Sequence, residues 1–60
     1  MKLHYTGTAD IREMSSADFK SLGVEHGKVE WNAGNDFTAE VSSEAAKALM
    51  EADESFEKSD

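Results

Sequence analysis

The chain contains no cysteine, so no disulfide can staple it. It contains no apolar run near the roughly 18 residues that a membrane span needs. Its opening, Met1-Lys2-Leu3-His4-Tyr5, lacks the hydrophobic stretch of a secretory leader. The expectation is a protein that stays in the cytoplasm of the cell that makes it and touches no membrane. Glycine is sparse: Gly7, Gly23, Gly27 and Gly34 are scattered, which excludes a phosphate-cradling loop. Cations are also few, six Lys and Arg against thirteen Asp and Glu, for a formal net charge of −7. Such a chain lacks the basic stripe that phosphate contact needs, so direct nucleic-acid binding is not expected. The remaining metal ligands are His4, His26 and carboxylates, in no zinc or EF-hand spacing, and no metal or cofactor is expected.

What is present is short. Sixty residues make one domain, 1–60. A chain of this size buries only about 60% of its unfolded surface, and a net stability of a few kcal/mol follows. With disulfides and metals set aside, assembly with a partner is the expected staple, the alternative being a lone, marginally stable domain. The charge is uneven. In residues 1–29, Asp10, Glu13, Asp18 and Glu25 balance Lys2, Arg12, Lys20 and Lys28, so the whole acidic excess lies in 30–60. That field favours a basic partner or simply aids solubility.

Lys2-Leu3-His4-Tyr5-Thr6 alternates, with Leu3 and Tyr5 on one face, and reads as a half-buried strand ended by Gly7. Asp10-Ile11-Arg12-Glu13 reads as a second extended piece with Ile11 inward. Ser15-Ser16-Ala17-Asp18 is a capping box, Met14 and Phe19 are spaced as a hydrophobic staple, and Gly23 is a C′ glycine followed by apolar Val24. These signals predict a helix over 16–22 that docks Phe19 and Leu22 on a sheet. Val29 and Trp31 alternate over 28–32, and Phe37, Ala39 and Val41 over 37–41. The intervening Ala33-Gly34-Asn35-Asp36 has turn chemistry, so 28–41 predicts a central β-hairpin. A five-residue loop would set Trp31 opposite Phe37. Ser42 caps a longer C-terminal helix with Ala45, Leu49 and Ala52 on one face, flanked by Ala46 and Met50. Phe56 either adds a last edge strand or sits in a fraying end. The fold class is α+β, a small antiparallel sheet with one short and one longer helix.

Chemistry is hard to place on this pattern. His4 falls on a strand and His26 in a turn, neither within a nucleophile motif. A core of about a dozen side chains leaves little room for an enclosed pocket of roughly 300 Å3. The reading is a binding protein without enzymatic activity. Its candidate partner-binding residues are Tyr5, Trp31 and Phe56 as apolar anchors, and Gly34, Asn35 and Asp36 as a polar tip. For Trp31 the alternative is a place in the core, through cross-strand aromatic pairing.

The run Tyr5-Thr6-Gly7-Thr8-Ala9-Asp10-Ile11-Arg12 resembles the opening of small proteins encoded by tailed phages of actinobacteria. The likeness continues through Asp18-Phe19, Gly23-Val24, Val29-Glu30-Trp31, Asn35-Asp36-Phe37-Thr38, Glu40-Val41-Ser42 and Ala46 to Leu49. It implies a virion part assembled in the host cytoplasm: a minor capsid, decoration or head–tail accessory protein. Such a part binds the major capsid or connector protein in many copies, and no catalytic residues come with it. The alternative is an acidic inhibitor or DNA mimic. That protein would present Glu40, Glu44, Glu51, Asp53, Glu54 and Glu57 to a basic nucleic-acid-binding partner.

Overall fold

Leu3 and Tyr5 alternate with Lys2 and His4, and that period of two builds β1 (Lys2–Tyr5), the middle strand of the molecule. A computed structural model describes residues 1–59. Among these, β1 is followed by β2 (Ile11–Met14), α1 (Ser16–Ser21), β3 (Val29–Asn32), a 3-10 turn (Ala33–Asn35), β4 (Thr38–Glu40), α2 (Ser43–Ala52) and β5 (Phe56–Lys58). The fold is α+β with small antiparallel sheets, one short helix and one longer C-terminal helix. One sheet has the order β4-β1-β5, and the other pairs β2 with β3. The segment around Phe56 therefore does form an edge strand, with Phe56 opposite Tyr5.

Helix α1 starts and stops where its caps dictate. Ser15 Oγ accepts from Asp18 N–H at 3.2 Å, and Asp18 Oδ2 accepts from Ser15 N–H at 2.9 Å. Gly23 takes φ +80°, a conformation that costs an L residue with a side chain about 1–2 kcal/mol. Its N–H bonds Lys20 O, and Val24 N–H bonds Phe19 O, which completes a Schellman motif. Phe19 and Met14 are both buried, and Leu22 packs partly on the same core. Helix α2 begins at Ser42, whose side chain accepts from Ala45 N–H. Its buried face is Ala45, Ala46 and Leu49, while Met50 and Ala52 are exposed.

Two expectations are corrected. Ile11 points outward and is 59% exposed; Arg12 and Met14 take the inward phase of β2 instead. The cause is that Arg12 has its own partners inside. Its guanidinium bonds Asp53 at 3.1 Å and lies 5.6 Å from the centre of the Phe56 ring, while its stem covers apolar surface. The second correction is the hairpin. Strands β3 and β4 are joined by the expected turn and stay neighbours, but they share no ladder. β3 pairs with β2, placing Trp31 opposite Arg12, and β4 pairs with β1, placing Thr38 opposite His4. Phe37 N–H to Asn32 O, 2.8 Å, and Asp36 N–H to Ala33 O, 3.3 Å, close the turn. Left-handed Asp36 and Phe37, at φ 58° and 55°, then turn β4 away from β3 and onto β1. Trp31 consequently meets Phe56 edge-on at 4.7 Å, and Phe37 meets Tyr5 at 6.4 Å.

The core lies between the two sheets and under both helices. Trp31, Phe19, Leu3 and Leu49 are its largest fully buried side chains. The Trp31 indole N–H donates to Leu3 O at 3.0 Å, so the one polar atom of the central ring is satisfied and the sheets are tied together. No helix is long and apolar enough to cross a membrane among the described residues.

Candidate interaction surface

The aromatic anchors expected from sequence are not at the surface. Trp31 is fully buried, Phe56 is 5% exposed and Tyr5 is 9% exposed. Tyr5 and Phe56 meet as tilted rings with centroids 5.5 Å apart, and Phe56 in turn meets Trp31, so these rings form one cluster. The Tyr5 ring also lies over Gly7, where any Cβ would collide with it. These residues build the core, and they cannot anchor a partner while the chain is folded.

The polar tip is where sequence placed it. Asn32 Oδ1 accepts from Gly34 and Asn35 N–H, and Asn35 Oδ1 returns a bond to Asn32 N–H at 3.0 Å. The Asn35 amide also donates to Glu30 O at 2.8 Å. Gly34, Asn35 and Asp36 are exposed, and these local bonds define the shape of the turn. Asn35 and Asp36 join Lys2, Thr38, Glu40 and Ser59 around an open depression of about 370 Å3 on the outer face of the β4-β1-β5 sheet. Gly34 lies outside it. On the same face His4 sits between Thr38 and Glu57, with its Nδ1 3.1 Å from Thr38 Oγ1.

A second, more apolar depression of about 650 Å3 lies beside α1 and involves Ala17, Lys20, Val24, Glu25 and His26. Sequence reasoning missed it, although the glycine stop after α1 and the irregular 24–28 segment are the features that leave this flank open. The His26 ring packs 4.7 Å from Phe19. Its Nδ1 lies 2.9 Å from Gly27 O, and its Nε2 lies 3.4 Å from Ser42 N. A neutral ring protonated on Nδ1 satisfies both contacts, so His26 fastens the 24–28 segment to the start of α2.

Charged groups are arranged as local pairs. Glu13 and Glu30 stand directly opposite each other in the β2–β3 ladder, and Lys28 bridges them at 3.1 and 3.8 Å. The Lys28 hydrogen bond lowers the Glu13 carboxyl below its ordinary range and raises the Lys28 amine. Asp53 is lowered first by the Ser55 N–H that it accepts, with Arg12 adding to the effect. Of the carboxylates in the second half, Glu40, Glu44, Glu51, Glu54 and Glu57 are exposed, whereas Asp53 is half-buried in its pair with Arg12. Asp60 lies outside the described residues. Among those residues no group of three or more His, Asp or Glu is placed to hold a metal ion. Comparison with known protein families, with curated proteins and with solved structures finds no match to this chain.

Proposed function

We propose that the chain is a non-enzymatic structural part of a phage particle, a minor capsid, decoration or head–tail accessory protein present in many copies. It would bind the major capsid or connector protein. The observation that carries this reading is how the residues are spent. Every large aromatic is committed to the core or packed against it, and the outside presents strand edges, a hydrogen-bonded polar tip and carboxylates. Such a surface is suited to docking along other protein chains. The resemblance of the residue pattern to small phage proteins supports that setting. Purified chain mixed with particles that lack it should co-sediment with them at a saturating ratio. A chain that stays in the supernatant contradicts the proposal.

A second reading is an acidic inhibitor or DNA mimic, favoured by the exposed Glu40, Glu44, Glu51, Glu54 and Glu57. A mimic would be displaced from its partner by DNA, whereas a chain docked on a shell would not.

A further inference from the structure

The ladder between β1 and β5 fixes which way each residue of β5 turns its main chain. Thr6 N–H donates to Ser55 O at 2.7 Å, and Ser59 N–H donates to Lys2 O at 2.9 Å. Bonded positions in an antiparallel pair recur at every second residue. Ser55, Glu57 and Ser59 therefore turn toward β1, and Phe56 and Lys58 turn their N–H and C=O groups away from it. β5 is the end of its sheet, and among the described residues no other strand pairs with it.

The two edges of this sheet differ in charge. Beside β4, Asp36 and Glu40 are offset by Lys2, which lies opposite Glu40, and by the Met1 amino group 3.2 Å from the Glu40 carboxylate. Beside β5, Arg12 is occupied by Asp53, and Glu51, Glu54 and Glu57 outnumber Lys58 and Lys47, which lies one helical turn before Glu51. Glu51, Glu54 and Glu57 are exposed and take part in no ion pair among the described residues. A second copy of the chain would bring −7 against −7 and be repelled, as would a nucleic acid.

We propose that the outer edge of β5 docks an extended, lysine- or arginine-bearing segment of a partner protein, which adds as a fourth strand to β4-β1-β5. The inference deepens the assembly reading and rests on it for the source of that segment. Exposed Lys58 offers the added backbone one donor and one acceptor, while Phe56, 5% exposed, leaves little of its outward main chain open. The flanking carboxylates select cationic side chains and speed the encounter.

The test titrates 15N-labelled chain with the blocked peptide acetyl-Lys-Val-Lys-Val-Lys-amide and follows the amide shifts. The expected result is a saturable response that is largest at Phe56 and Lys58, weakens as salt rises and is absent for the glutamate version of the peptide. Lys58→Pro removes an outward N–H without touching the β1 ladder. It should weaken binding about tenfold, near the worth of one backbone hydrogen bond. Shifts spread over the carboxylates with no maximum on β5, or undiminished binding by a folded Lys58→Pro chain, would overturn the proposal. Should that variant not fold, the shift map of the natural chain decides alone. A chain that co-sediments with particles yet ignores the peptide at β5 removes the edge site only. Docking at β5 by a chain that never joins particles removes the particle reading only.

Discussion

Asp36 and Phe37 hold consecutive left-handed conformations, at φ 58° and 55°, and neither is a glycine. For an L residue that conformation costs about 1–2 kcal/mol, least for Asp and Asn. Phe37 is kept there by three ties: its N–H to Asn32 O, its carbonyl to Tyr5 N–H, and its ring against Tyr5. Asp36 is exposed, and among the described residues its side chain has no comparable tie. Asp36→Gly should therefore stabilise the chain by about 0.5–1 kcal/mol, read from denaturant midpoints. A loss of stability would mean that the carboxylate does something there which the geometry does not reveal. Arg12 is the converse case, a charge turned inward. Arg12→Ala removes the Asp53 pair and the Phe56 contact and should cost about 1–2 kcal/mol. Arg12→Lys should recover less than half of that, because an ammonium cannot lie flat over the ring. Full recovery by lysine would show that charge alone matters.

At the scale of elements, the helix caps were the most legible feature of the sequence. Ser15, Asp18, Gly23 and Val24 act within one or two turns, so the chemistry of each residue decides its own geometry. Ser42 and the alanine face of α2 were legible for the same reason. Strand pairing was not, because it depends on which distant segments compete for an edge. The 33–36 turn was legible, yet β3 chose β2 and β4 chose β1. Ile11 misled because its apolarity outweighed a phase that only Arg12's inner partners explain. The anchors failed similarly: Tyr5, Trp31 and Phe56 have the composition of an interface, and only the three-dimensional packing assigns them to the core. Asp18 also links an element to solution conditions. The Ser15 N–H, and then its hydroxyl, lower the Asp18 carboxyl below its ordinary range. A carboxyl lowered by folding stabilises the fold above its unfolded value of about 4, and that contribution fades as pH falls through the lowered value. Melting temperature should thus drop more between pH 5 and pH 2, both approximate limits of that window, in the natural chain than in Asp18→Asn. Equal slopes would remove the capping carboxylate from the acid response.

At the scale of the whole molecule, a thin core and an excess of acids coexist. The balanced half, 1–29, supplies α1, β1 and β2, while the acidic half supplies α2, β5 and most of the exposed carboxylates. A domain of this length holds roughly 3–9 kcal/mol of stability. Binding to a larger shell, as proposed, would add to that by mass action. The same chain in many copies would spread its charge over the particle surface, where neighbouring copies are held apart by the shell instead of by one another. The most direct measurement of this account is quantitative mass spectrometry of purified phage particles. The account predicts this chain in a fixed, multiple-copy ratio to the major capsid or connector protein, retained through gradient purification. Its absence from such particles, with the free chain a stable monomer in the host lysate, would contradict the structural role.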